Sequence, residues 1–244
     1  ILMKFQHPTI IKFHGYSKTD FEGKNNIAIV MDYAENGSLF DILYEYRNGK
    51  LDETKIFNNT TKQIILIGIA RGMMHLHKHN AKHRDLKPAN ILLDKNYFPH
   101  IADFGLSKEF NNGESMNNSD INTTPIYMAP EMISGKYNRK ADVYAFGIIM
   151  FEIIAGFDPT SISKKKKFSV YDYRDFFDSK KPIKKSLKTL IEQCCDSDPN
   201  KRPTFEVIFK KLAYNLEDSC GKDNVFDYFI NSIDSRNSAS NSKN

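Results

Sequence analysis

The chain has 244 residues, 40% of them apolar and 27% charged, and 35 lysines and arginines against 30 acids give a net charge of +5. That balance can bury a sizeable core and excludes collagen-like, acidic disordered and disulfide-scaffold classes; the length suits one large domain or two small ones. Of three cysteines, Cys194 and Cys195 are adjacent and Cys220 is isolated, so no disulfide framework is expected and a reducing, cytoplasmic setting follows. The first residue is Ile1 rather than Met, so the expectation is an excerpt of a longer polypeptide.

Short β-branched runs at 10–13 and 27–31, separated by Gly15, Ser17, Asp20 and Gly23, predict two strands joined by a polar turn. Ile56, Gln63, Ile64, Ile67, Ala70, Met74 and His77 then return every three or four positions, which predicts an amphipathic helix over about 55–78. Two further extended stretches are expected at 91–94 and 99–102, divided by Lys95 and Asn96. Residues 109–122 are polar and carry no apolar period, so a mobile loop is expected there. The apolar run at 143–157 contains Glu152 and falls short of the roughly 20 residues of a membrane-spanning helix; it predicts a helix buried on most sides. Pro203 is placed in the first turn of a last helix reaching about 217, and from Asn231 the Ser, Asn and Lys composition predicts no structure.

Three motifs carry chemistry. His83-Arg84-Asp85-Leu86-Lys87-Pro88-Ala89-Asn90 is followed by Asp103-Phe104-Gly105 and then by Ala129-Pro130-Glu131. Each alone occurs by chance, whereas the set in this order and spacing is specific. It resembles the catalytic loop, the metal-binding turn and the end of the activation segment of eukaryotic-type protein kinases. The resemblance implies an α+β, two-lobed kinase-like fold with a mainly helical C-lobe and a remnant of the β-rich N-lobe. It divides the chain into a partial N-lobe at 1–35 (end of helix C, strands 4 and 5, hinge), a C-lobe at 36–218 and a polar, disordered tail at 219–244.

The residue types suit phosphoryl transfer, which asks mainly for positioning and charge neutralisation. By the resemblance Asp85 is the base for the attacking hydroxyl, Lys87 steadies the transferring phosphoryl group, and Asn90 and Asp103 supply hard oxygen ligands for Mg2+. ATP and a protein serine or threonine are the implied substrates, since a lysine at position 87 followed by Pro88 resembles the serine/threonine kinases. The stretch 30–39 looks like the hinge: Met31 is the gatekeeper, Asp32 and Ala34 hydrogen-bond adenine through their backbones, Ser38 lies at the nucleotide site and Leu92 forms its apolar floor. Structural and regulatory roles are carried over to His83, Arg84, Phe104, Gly105 and Thr124, to the Glu131–Arg202 ion pair, and to Asp142, which holds the catalytic-loop backbone. Arg84 before Asp85 resembles kinases activated by phosphorylation, with Ser119 and Thr123 as the candidate acceptors. Gly37-Ser38-Leu39, residues 68–72 and Arg202-Pro203-Thr204-Phe205 resemble the tyrosine-kinase-like group of serine/threonine kinases.

Departures from the pattern are also visible. No two of the twelve glycines are separated by a single residue, so no G-x-G loop occurs, and Lys4 and Lys12 fall too late to be the strand lysine. His7-Pro8-Thr9-Ile10-Ile11 resembles the turn after the helix that carries the pairing glutamate. The expectation is a kinase whose small lobe is cut short here, inactive as this fragment; the alternative is a non-catalytic, partner-binding kinase-like module. Ala81-Lys82 stands where apolar residues usually precede the loop, and Thr123 replaces a glycine. Lysines 164–167 read as a solvated loop, and His75 and His79, on one helix face, lack the cysteine or carboxylate a zinc site would need.

Overall fold

A computed structural model describes residues 5–52, 55–103, 125–134, 138–156, 183–214 and 224–240. Strand β1 (Phe13–Ser17) pairs antiparallel with β2 (Ala28–Met31), Phe13 facing Met31 and Ser17 facing Ala28. Residues 10 and 11, expected to open the first strand, belong elsewhere. The Ile11 N–H donates to the Ile101 carbonyl and the Ile101 N–H to the Thr9 carbonyl, both at 2.9 Å, and both isoleucines are buried. A β-branched run announces extended backbone but cannot name its partner.

Helix α1 (Leu39–Arg47) starts at a capping box: the Ser38 Oγ accepts from the Asp41 N–H while the Asp41 carboxylate accepts from the Ser38 N–H. Helix α2 (Asn59–Lys78) begins four residues later than the periodicity suggests, because Asn58 caps it by accepting from the Thr61 N–H at 2.9 Å. Every residue from Ile64 to Ala70 is buried, since three later helices and a β-ribbon pack around this one. That ribbon is β3 (Ile91–Leu93) with β4 (Pro99–Ile101), antiparallel, Ile91 facing Ile101. Gly68 leaves room for it: a Cβ there would sit 2.3 Å from Pro99 Cγ.

Helix α3 (Lys140–Ala155) is buried from Ala141 to Ile153, as the long apolar run requires, and ends at Gly156, whose φ of 62° terminates the helix in the left-handed region. Two amphipathic helices follow, α4 (Lys185–Cys194) and α5 (Phe205–Tyr214). Pro203 lies outside α5 rather than in its first turn, because the Thr204 hydroxyl takes the cap position, accepting from the Val207 N–H at 3.4 Å.

The tail expected to lack structure is corrected by α6 (Asn224–Ser240). Phe229 and Ile233 are buried, Phe226 and Ile230 pack beside them, and the Phe229 ring lies 4.8 Å from that of Phe98. Their three- and four-residue spacing is a helical stripe that the surrounding Ser and Asn composition obscured. The loop at 109–122 and lysines 164–167 lie outside the described residues. Among the described residues no helix is long and apolar enough to cross a membrane.

Candidate active site

The site is assembled on the loop between α2 and β3. Asp142, in the first turn of α3, accepts from the His83 N–H at 3.1 Å through Oδ2 and from the Arg84 N–H at 3.0 Å through Oδ1. The His77 Nε2–H of α2 donates to the same Oδ2 at 2.8 Å. These bonds hold Arg84 at φ 72°, a left-handed conformation costly for a residue with a side chain, which the surrounding structure therefore has to impose.

His83 is fully buried, and its ring bridges two functional segments. The Asp85 N–H donates to Nδ1 at 3.4 Å, so the proton sits on Nε2, which donates to the Ala102 carbonyl at 3.1 Å. Burial lowers its pKa despite the nearby Asp142 and Asp85, in keeping with a neutral imidazole. Ala102 in turn donates its N–H to the Asn90 carbonyl at 2.9 Å. Asp103 follows, exposed, with φ 54°. One imidazole thereby ties the loop bearing Asp85 to the strand end bearing Asp103.

Asp85 is 6% exposed, and its two oxygens differ. Oδ2 receives the Lys87 ammonium at 2.7 Å and the Asn90 Nδ2–H at 3.1 Å, whereas buried Oδ1 has no hydrogen-bond partner among the described residues. Asn90 Nδ2 also donates to the Asp85 carbonyl at 2.7 Å, so the amide nitrogen is committed and its oxygen is the group left to hold a cation. An Asn and an Asp oxygen fit Mg2+, which keeps several waters and is bound through few protein carboxylates plus substrate phosphates. Among the described residues no group of three or more His, Cys, Asp or Glu forms a metal cage.

The hinge is joined to this ribbon. The Leu93 N–H donates to the Gly37 carbonyl at 2.9 Å and the Asn36 N–H to the Leu93 carbonyl at 3.0 Å, with Ser38 bridging Leu92. The Asp32 N–H is used by the Lys12 carbonyl, while the Asp32 carbonyl and the Ala34 N–H have no partner among the described residues. Both groups belong to the hinge backbone that the adenine expectation names. The Ser38 expectation changes, because its hydroxyl caps α1 and donates to Asp41 at 2.6 Å rather than standing free for a nucleotide. Met31, expected as a gatekeeper that is also a core residue, is 43% exposed, since nothing among the described residues covers that face of β2.

Two further constellations frame the site. Arg202, 1% exposed, donates to both oxygens of Glu131 at 2.6 and 2.8 Å, and to the carbonyls of Asp196 and Lys140. Sequence reasoning missed the second: buried Glu152 receives Arg47 Nη2 at 2.7 Å and the Tyr127 hydroxyl at 2.5 Å. A carboxylate inside the otherwise apolar run at 143–157 was the available signal, because such a group needs a partner. His75 and His79 are engaged with other groups: the His79 Nδ1–H donates to the His75 carbonyl, and His75 packs between the rings of His79 and His7, at 4.4 and 4.9 Å. Phe104, Gly105, Ser119, Thr123 and Thr124 lie outside the described residues.

Comparison with known proteins gives the same direction. A probable serine/threonine-protein kinase of Dictyostelium discoideum is 33% identical over 216 residues, covering 87% of this chain and 16% of that protein. The serine/threonine-protein kinase fray1 of the same organism is 32% identical over 216 residues, covering 85% of this chain and 36% of that protein. The LRR receptor-like serine/threonine-protein kinase FEI 2 of Arabidopsis thaliana is 30% identical over 244 residues, covering 91% of this chain and 39% of that protein. The chain thus spans between 16% and 39% of the length of these relatives. The protein kinase domain family matches residues 1–212, and with the loop geometry above the chain belongs to the protein kinase family.

Proposed function

We propose that this chain carries the catalytic lobe of a serine/threonine protein kinase that transfers the γ-phosphoryl group of ATP to a protein hydroxyl. The observation that carries the reading is the asymmetry of Asp85: Lys87 and Asn90 engage Oδ2, and Oδ1 is left without a partner among the described residues. A buried carboxylate oxygen with no partner is costly unless a substrate donor supplies one. In this reading Oδ1 accepts and orients the attacking hydroxyl, and Lys87 steadies the phosphoryl group. Asn90 and Asp103 hold magnesium, which when bound neutralises phosphate charge. The Asp32 carbonyl and Ala34 N–H receive adenine, with Leu92 beneath it.

Serine/threonine specificity is supported by Lys87-Pro88 and by the names of the similar proteins, and the tyrosine-kinase-like grouping by the segments at 37–39, 68–72 and 202–205. The domain division at residue 35 follows the hinge, and Ser119 or Thr123 is the proposed activating phosphosite, served by Arg84. A cytoplasmic location is in keeping with Cys194 and Cys195, both free and buried. This chain contains no glycine-rich loop, and as an isolated polypeptide it is proposed to be inactive. The test is transfer of labelled phosphate from Mg·ATP to a generic protein substrate, by this chain alone and by a longer polypeptide in which a kinase small lobe with a glycine-rich loop and strand lysine is joined to its N-terminus. Phosphoserine or phosphothreonine formed only by the longer polypeptide, and lost on Asp85→Asn, is the expected result. No transfer by either polypeptide favours the partner-binding module, and phosphotyrosine alone overturns the specificity.

A further inference from the structure

A depression of about 610 Å³ opens between the second half of α2, the start of α3, and helices α5 and α6, with none of residues 83–90 in its lining. Five cations line it against two carboxylates. Two of the five are answered within the chain: Arg71 by Asp234 at 3.3 Å and Lys210 by Glu206 at 2.7 Å. A third, Lys140, donates its ammonium to the carbonyls of Arg202 and Pro203; burial lowers its pKa, as do the adjacent charges of Arg139 and Arg202. The remaining two, Lys78 and Arg139, are exposed and have no ion-pair partner among the described residues. Cations gathered around one concave surface focus a positive potential into it. The half-buried Met74 and the stems of the basic side chains give the floor some apolar character.

We propose that this depression docks an acidic peptide segment of a protein partner, with its carboxylates set against Lys78 and Arg139. Carboxylate chemistry is already used there, because Asp234 of α6 occupies Arg71 in the same depression. Helix α6 lies beyond residue 212, where the kinase match ends, so one wall of the site is supplied by this chain's own C-terminal stretch. Single-stranded nucleic acid fits less well. It is held by stacking on open aromatic faces, and the phenylalanines lining the depression, Phe205 and Phe209, are 1% and 6% exposed.

The test is fluorescence anisotropy on the full chain with a fluorescein-labelled peptide of alternating glutamate and leucine. The comparisons are the lysine/leucine counterpart and a version in which phosphoserine replaces glutamate. The glutamate peptide is expected to bind and to weaken as salt rises. The double variant Lys78→Glu/Arg139→Glu should lose about tenfold or more in affinity, and Lys78→Gln/Arg139→Gln an intermediate amount. Both positions are exposed, so unchanged melting curves should accompany the loss; if the charge-reversed chain does not fold, the glutamine variant carries the test alone. Replacing lysines 164–167 by serine should leave binding intact. Four results overturn the proposal: equal affinity in wild type and both variants, a loss that follows the lysine run instead, equal binding of the lysine/leucine peptide, or binding of the phosphoserine peptide alone. The measurement needs no catalysis, so it stands or falls separately from the kinase reading.

Discussion

Glu152, in the middle of the buried helix α3, holds Arg47 of α1 at 2.7 Å, 105 residues away in sequence. The Tyr127 hydroxyl donates to its other oxygen, so one carboxylate joins two helices and the turn just before Ala129-Pro130-Glu131. Removing one partner leaves a buried charge uncompensated. Arg47→Ala should therefore cost about 3–5 kcal/mol in urea unfolding, whereas Arg47→Met with Glu152→Leu should recover much of that loss. An equal loss in the single and double variants would show that packing, not charge compensation, dominates.

Asp85→Asn keeps the shape of the loop but removes the carboxylate. In the catalytically complete polypeptide kcat should fall by about 10² to 10⁴-fold while nucleotide affinity changes little. A weakening of ADP binding that matches the fall in kcat would assign Asp85 to nucleotide binding instead.

Acid should weaken the attachment of residues 5–10 to α2. The Thr9 N–H donates to His7 Nδ1, which requires that nitrogen to be unprotonated, and burial with the nearby His75 and Arg71 lowers the His7 pKa to about 3. Burial, His79, Arg71 and Lys78 lower that of His75 to about 4. Both lie below the ordinary 6.5, so the unfolded chain binds more protons as pH drops from 6.5. The stabilisation is full above pH 6.5 and declines as pH falls toward the folded values, by at most about 1.4 kcal/mol per pH unit for each histidine, less for the half-exposed His75. Thermal melts between pH 7.5 and 5 should show the fall, and His7→Gln should flatten it. A wild-type profile that stays level over this range would remove the argument.

Phe229→Ala should cost about 3 kcal/mol, as expected for truncating a buried phenylalanine, and should loosen β4 as well as α6. The Phe229 ring touches Phe98 at the entry to β4, and β4 leads directly to Asp103. Hydrogen exchange is the measurement. Faster exchange at residues 99–103 is expected, and a change confined to 224–240 would show that α6 packs without bracing the ribbon.

The loop at 83–90 is legible in the amino-acid sequence because its motif is written locally. Asp85, Lys87 and Asn90 lie within six residues, and the turn that brings Asn90 back onto Asp85 is built by those residues themselves. The buried character of α3 is equally plain, since an unbroken apolar run leaves few alternatives. Sequence reasoning fails where a residue's meaning depends on a distant partner. Ile10 and Ile11 look like strand and are extended, but their partner is Ile101 rather than the neighbouring hairpin. Ser38 looks available to a nucleotide, yet the capping box with Asp41 claims its hydroxyl.

Sequence alone determined the order of the motifs, with the resemblance to protein kinases they carry, and the helical character of the larger lobe, because periodicity and short-range spacing survive in a linear string. Tertiary structure decided which polar groups are answered and which are left open. It paired Glu152 with Arg47, turned the C-terminal stretch into a helix packed against α2 and Phe98, and left Lys78 and Arg139 facing a shared depression. Whether a buried charge or an amphipathic stripe is satisfied depends on the elements packed against it, and folding brings those elements from far along the chain.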